Sequence, residues 1–344
     1  MAKIKVKHQV AMVMDLNKCL GCQTCSIACK RLWTREEGMD HMWWNTVNTM
    51  PGLGTPKGWE KMGGGFKKGI PQAGKLPSIK DFGEPMELNY EEVYYSGKSQ
   101  QAYLHPKNQP EWAMNWDEDQ GGGIWPNSYF FYLPRICNHC TNPSCLEACP
   151  RGAIYKRVED GIVLIDEERC KGYRYCMEAC PYKKIYFNEA KKVSQKCIFC
   201  FPRVEQGIPT ACARQCPGRL RFVGYLDDEE GPIFKLVNKW KVAMRLHPEF
   251  ETEPNVYYIP PIPSPKIDEN FKITKEPRIP LEYLESLFGK DVGNVIEVLK
   301  NERMKKTEKK SSELMDLLIG YRWPKDFFKL PAAKPGSLIT PGSL

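Results

Sequence analysis

The hydrophobic pattern opens on an alternation. Between residues 4 and 17 the apolar positions Val10, Met12, Met14 and Leu16 fall on every second residue, which predicts a short strand. A helical turn is expected after Cys29, through Leu32 and Trp33. Much further on, Ala153-Ile154-Tyr155-Lys156 and Ile162-Val163-Leu164-Ile165-Asp166 flank a turn at Glu159-Asp160-Gly161 and read as a β-hairpin. A second hairpin is expected from Ile185-Tyr186-Phe187 and residues 191–194. Beyond Gly224, the acids Asp227, Asp228, Glu229 and Glu230 precede Gly231-Pro232 and predict a capped helix over 235–241. An extended Pro-rich run follows at Tyr257-Tyr258-Ile259-Pro260-Pro261, then helices over 291–306 and from Ser312 towards Gly320.

One long stretch, residues 38–129, follows neither period. It is rich in turn formers (Pro51-Gly52, Gly63-Gly64-Gly65, Gly121-Gly122-Gly123) and in Trp at 43, 44, 59, 112, 116 and 125. Insertions of this length are usually functional or disordered. So many aromatics argue for an ordered excursion, packed on its own chain and on a partner subunit.

Composition narrows the class. At 344 residues there is room for two or three domains. A mean hydropathy of -0.51, with no apolar run near the length of a span, predicts no transmembrane segment. The basic N-terminus has no apolar core behind it, so no secretory signal is expected, although a folded subunit can be exported bound to a signal-bearing partner. The formal charge of +8 invites a nucleic-acid reading. The cysteines supply the competing explanation.

Fifteen cysteines fall into four motifs. The first, CLGCQTCSIAC from Cys19 to Cys29, has the spacing C-x2-C-x2-C-x3-C, which lets three thiolates wrap one corner of an iron–sulfur cube while the fourth points to another cluster. The second is Cys137, Cys140, Cys145, Cys149; the third is Cys170, Cys176, Cys180; the fourth is Cys197, Cys200, Cys212, Cys216. Structural zinc prefers two separated pairs closing one tetrahedron, and suits this crowding poorly. A disulfide framework suits the odd count and the long chain less well still. Oxidised clusters carry roughly two negative charges each, so four would offset about eight positive ones. Lys183, Lys184, Lys191, Lys192, Lys196 and Arg203 gather near the motifs as that compensation requires.

The third motif has Tyr173 where the others have their second Cys. A cube deprived of one corner ligand tends to lose that iron, so a [3Fe–4S] cluster is expected there; ligation of a fourth iron by the Tyr oxygen is the rival. His139 sits within the second motif and is expected to donate hydrogen bonds rather than ligate. His8, His41, His105 and His247 are scattered and gain no role. No catalytic pair, phosphate loop or dinucleotide fingerprint is present, which argues against a self-contained flavin or nucleotide enzyme. The repeated motifs predict an α+β fold of two tandem bacterial-ferredoxin-like units. The first comprises residues 1–37 and 193–228, the second 130–192. The long insertion and a C-terminal helical extension (229–344) that packs on partner subunits complete the chain.

The four-motif arrangement with an aromatic in the third resembles the electron-transfer β subunits of the dimethyl sulfoxide reductase superfamily of molybdenum enzymes. Within it, the pattern is similar to the ethylbenzene dehydrogenase, dimethyl sulfide dehydrogenase, selenate, chlorate, perchlorate and nitrate reductase branch, nearest to ethylbenzene dehydrogenase. The resemblance rests on DLNKC from Asp15, Trp44-Asn45 with Pro51-Gly52, NWDEDQGGG from Asn115, CIFC from Cys197 and ELMDLLIGYRW from Glu313. Formate dehydrogenase and hydrogenase β subunits usually keep four Cys in the third motif, and several add a membrane helix. The resemblance implies a molybdenum bis-MGD α subunit, and a haem b γ subunit or membrane anchor. It also implies export to the periplasm beside the α subunit, with the cytoplasmic membrane face as the alternative. Three [4Fe–4S] clusters would be held by Cys19, Cys22, Cys25 and Cys216; by Cys29, Cys197, Cys200 and Cys212; and by Cys137, Cys140, Cys145 and Cys180. The [3Fe–4S] cluster would be held by Cys149, Cys170 and Cys176, with Tyr173 at the vacant ligand position.

Overall fold

The computed structural model describes residues 6–51, 121–124 and 126–319, with scattered positions between 52 and 120. Trp59, Trp112, Trp116 and Trp125, residues 115–120 of the NWDEDQGGG run, and residues 320–323 of the ELMDLLIGYRW run lie outside the described residues. Chain contacts define two units, Met1–Val47 with Tyr132–Leu344, and Asn48–Phe131. Residues 38–47, read from the sequence as part of the insertion, therefore belong to the larger unit. Within the smaller unit, Phe66–Lys67 pairs antiparallel with Ile70–Pro71, and Glu91–Tyr95 forms a π-helical turn.

The larger unit is strung in chain order as β1 (Val10–Asp15), α1 (Thr24–Trp33), α2 (Ser144–Glu147), β2 (Ile154–Lys156), β3 (Val163–Ile165), α3 (Tyr175–Ala179), β4 (Ile185–Asn188) and β5 (Val193–Lys196). Then come α4 (Phe201–Val204), α5 (Ala211–Arg214), β6 (Arg221–Tyr225), β7 (Met244–Arg245), β8 (Val256–Ile259), α6 (Leu281–Phe288), α7 (Val292–Thr307) and α8 (Glu313–Leu318). Both predicted hairpins form: β2 with β3, in register Ile154↔Ile165, and β4 with β5, in register Ile185↔Lys196. Gly161, at φ +71°, closes the first, and a Cβ there would lie 2.2 Å from Oε1 of Gln9.

The central sheet has the order β6-β1-β8-β7. β1 runs antiparallel to β6 (Met14↔Arg221) and parallel to β8 (Met12↔Val256). The alternation in β1 predicts one buried face, yet every residue of the strand is buried. The reason is that both faces are covered. Ala11 and Val13 pack with Phe222, Ile259, Val295, Leu299, Leu314 and Leu318 into a common apolar core, while Met12 turns the other way to line a cysteine-walled cavity. The stretch from residue 229 onward therefore contributes a central strand and the cover of the core in this same chain.

The C-terminal helices follow the sequence pattern. α7 buries Val295, Ile296 and Leu299 at helical spacing, and Ser312 caps α8 by accepting a 3.1 Å hydrogen bond from the Met315 amide. The helix expected over 235–241 is instead one short turn, Pro232–Phe234, leading into π-helical Lys235–Lys239. Gly231 stands at its N-cap without a side-chain hydrogen bond, so the preceding acids do not cap it.

Candidate metal centres

Each cysteine loop is wound by backbone in the left-handed region. In the first motif Gly21 (φ +67°) and Gln23 (φ +55°) flank Cys22 before α1 begins. In the third, Gly172 (φ +70°) and Arg174 (φ +67°) flank Tyr173 before α3 begins. Tyr173 thus stands where Cys22 stands, in a loop of the same hand. The residue is 57% exposed, and its ring lies against Tyr175, 6.3 Å between centroids. It forms part of the surface over this loop and not an interior plug.

All fifteen cysteines are unbridged. Cys19, Cys22, Cys25 and Cys216 wall one cavity, with Lys18, Gly218 and Arg221. Cys29, Cys197, Cys200 and Cys212 wall a second, with Trp33, Trp44 and Asn45. Their non-atom spaces, open mouths included, are about 320 and 330 Å³. α1 passes between them, presenting Cys25 to the first and Cys29, one turn later, to the second. Cys137, Cys140, Cys145 and Cys180 lie close enough to repel one another as thiolates: burial and then Cys137 push Cys140 up to about 12, and the same two causes raise Cys145. Burial raises Cys176, and Cys170 and Cys149 add to it. Among the described residues, no three His, Cys, Asp or Glu side chains converge on a point suited to a single metal ion.

The sulfurs are met by hydrogen-bond donors, as ligands of an electron-rich group require. The amides of Ala153, Ser194 and Phe199 point at Sγ of Cys149, Cys170 and Cys197, at 3.3, 3.4 and 3.4 Å. The Trp33 indole N–H donates to Cys200 Sγ at 3.1 Å, and a guanidinium N–H of Arg221 to Cys25 Sγ at 3.3 Å. Trp44 lines the second cavity, and its buried indole N–H has no partner among the described residues. An orphaned donor at a thiol-walled space fits a sulfide-rich occupant, because an unpaired buried N–H is costly. The donor set and the shape therefore fit iron–sulfur clusters.

Positive charge is buried around these cavities, though not where basic clustering in the sequence suggests. Lys183, Lys191 and Lys192 are exposed, the latter two pairing with Glu36 and Glu189. Lys184 and Lys196 are buried, as are two residues that charge clustering misses, Lys156 and Arg221. Burial, then the Arg135 charge, pulls Lys184 down to about 7, against the opposing pull of Cys197, Cys137 and Cys29. Burial lowers Lys156 to about 8, and its ammonium donates to the Cys140 carbonyl at 3.1 Å. The signal in the sequence was positional: Lys156 and Arg221 interrupt apolar strands. His139 is fully enclosed; its Nδ1 accepts from the Val163 amide at 3.1 Å, which leaves the ring proton on Nε2, a buried donor with no partner among the described residues. Burial, reinforced by Lys196 and Lys156, holds its pKa well below the ordinary imidazole value.

Cysteine-walled cavities strung along short hairpins and helices define a ferredoxin-like iron–sulfur protein of mixed α+β architecture. Residues 128–226 match the 4Fe-4S dicluster domain family. The chain is 57% identical to the dimethylsulfide dehydrogenase subunit beta of Rhodovulum sulfidophilum, over 94% of this chain and 99% of that one. It is 56% identical to the respiratory nitrate reductase subunit beta of Haloferax mediterranei, over 91% of each. Against the selenate reductase subunit beta of Thauera selenatis the figures are 53%, with 92% of this chain and 97% of the other covered. The chain belongs to the iron–sulfur β subunits of the dimethyl sulfoxide reductase family, which carry electrons within molybdenum enzyme complexes. No helix among the described residues is long and apolar enough to cross a membrane.

Proposed function

We propose that this subunit carries three [4Fe–4S] clusters and one [3Fe–4S] cluster as a wire between a molybdenum bis-MGD α subunit and a haem b γ subunit or membrane anchor. Cys19, Cys22, Cys25 and Cys216 hold the first cluster, and Cys29, Cys197, Cys200 and Cys212 the second. Cys137, Cys140, Cys145 and Cys180 hold the third; Cys149, Cys170 and Cys176 hold the three-iron centre, with Tyr173 in place of a fourth thiolate. Each cluster, when bound, accepts and releases one electron. The residues around it hold the sulfurs, exclude water and set the local charge. The observation that carries the reading is the pair of cavities, each walled by four cysteines from distant parts of the chain.

The complex works on the periplasmic side, brought there with a signal-bearing α subunit, and the α subunit is a hydrocarbon-type dehydrogenase, as in ethylbenzene dehydrogenase, or an oxyanion reductase. The nitrate reductase relative favours a second reading, a β subunit of a respiratory nitrate reductase. Iron and acid-labile sulfide analysis of the purified complex, corrected for the α subunit, tests the count: three cubes and one three-iron centre give about fifteen irons. A value near eight would remove half of the assignment. Sequencing the co-purifying large subunit and its leader decides the compartment.

A further inference from the structure

Among the described residues Arg221 is the largest fully buried side chain, 2% exposed, and no carboxylate pairs with it. A guanidinium taken out of water without an anion is strongly destabilising. Its Nη2 donates to Cys25 Sγ at 3.3 Å and to Asn45 Oδ1 at 2.8 Å, its Nη1 approaches Met12 Sδ at 3.8 Å, and its Nε has no partner. The available anions are therefore sulfur. The side chain reaches both sides, since Cys25, which it contacts, walls the first cavity, and Met12 and Asn45, which it also contacts, line the second. An arginine side chain keeps its proton in proteins. The guanidinium stays charged throughout.

The residue is also held in place. Asn45, which lines the second cavity, accepts from Arg221 and donates through Nδ2 to Ser26 Oγ at 3.1 Å. Ser26 in turn donates to Gln23 Oε1 at 2.8 Å, and Gln23 Nε2 donates to the Val47 carbonyl at 2.8 Å. This chain, buried at Asn45 and Ser26 and half-buried at Gln23, fixes the guanidinium at the partition that α1 makes between the cavities.

We propose that Arg221 is the shared counter-charge of the first and second centres, raising both reduction potentials together, with Asn45 as its positioning residue. The inference rests on the reading that these cavities hold clusters. Reduction adds one negative charge to a centre, and a fixed positive charge in a low-dielectric setting stabilises that form more than the oxidised one.

The test is potentiometric titration of the intact complex, followed by electron paramagnetic resonance, with iron and sulfide measured on each sample. In Arg221→Gln, iron is retained and the reduced-to-oxidised ratio of both centres at a fixed potential falls at least tenfold, which is about 59 mV for a one-electron couple. The other two centres do not move. Arg221→Lys, which keeps the charge, restores most of the ratio. Asn45→Ala, which removes the acceptor without adding a charge, lowers both ratios less than Arg221→Gln does and decides the matter if Arg221→Gln loses iron. Unchanged potentials with iron retained, a shift of one centre alone, or no rescue by Lys would overturn the inference. Absence of clusters from the first and second cysteine sets in the unaltered complex would instead overturn the reading beneath it.

Discussion

The indole N–H of Trp33 donates to Sγ of Cys200 at 3.1 Å, joining the end of α1 to a cysteine 167 residues later in the chain. Both residues wall the second cavity. An N–H aimed at a ligand sulfur draws off electron density and favours the reduced centre.

Trp33→Phe keeps the ring and removes the donor. A bond of this kind is worth about 1 kcal/mol net, so the second centre should become harder to reduce while the others hold their potentials. Potentiometry resolved by centre checks this, and an equal shift in all four centres would contradict it.

Gly21→Ala should empty the first cavity of iron. Its φ of +67° costs a residue with a Cβ about 1–2 kcal/mol, and that Cβ would lie 2.6 Å from the Tyr132 ring. Iron content should fall by about one cube. Adding Tyr132→Ala should relieve the collision and recover part of the loss; no recovery would place the whole effect in the backbone.

Tyr173→Cys should complete a fourth set of four ligands. On the proposed cluster assignment, a three-iron resonance of the oxidised complex should disappear and a cube of lower potential replace it, slowing electron transfer through the subunit while the α subunit still turns over artificial dyes. Persistence of the three-iron signal in the variant would show that Tyr173 does not occupy the vacant corner.

Chelation with oxidation should unfold the molecule unevenly. The apolar core of Ala11, Val13, Phe222, Val295 and Leu299 does not depend on the cysteines for its packing. Amide exchange should therefore accelerate across the hairpins β2 to β5 and remain slow in α7. Equal loss in both regions would mean that the clusters organise the whole subunit.

Glu302 anchors the last helix pair. It accepts from Ser312 Oγ at 2.6 Å and from Lys305 Nζ at 2.5 Å, and these bonds, Lys305 first, hold its pKa below the usual carboxylate range. A depressed carboxylate contributes fully above its unfolded value of about 4.3, and fades only as pH falls through the lower folded value. Glu302→Gln should cost α8 about 1–2 kcal/mol of local protection, by an amount that is flat from about pH 6 to about pH 8. Hydrogen exchange of residues 313–318 measures it.

Short-range features were legible in the residues. The two hairpins, α7, the Ser312 cap and the four cysteine motifs all depend on neighbours a few positions away. What was not legible depends on distant partners. Nothing in Tyr257-Tyr258-Ile259 announces a parallel pairing with β1, because strand partners are chosen by the whole core. Lys156 and Arg221 interrupt apolar strands, but their burial is explained only by the distant groups they meet, the Cys140 carbonyl and the Cys25 sulfur. The acids before Pro232 resemble a helix start, yet the chain enters a π-helical turn there.

The wall of the first cavity has a consequence for how the protein is made. Cys19, Cys22 and Cys25 leave the ribosome early, but the cavity closes only when Cys216 arrives. The second waits likewise for Cys197, Cys200 and Cys212. Cys137 to Cys180 form a far shorter loop, whose closure is entropically cheaper. Maturation should thus run from the middle of the chain outward, and an assembly factor delivering iron and sulfide would meet the thiols of Cys19 to Cys29 left open until synthesis has passed residue 212 for one set and residue 216 for the other.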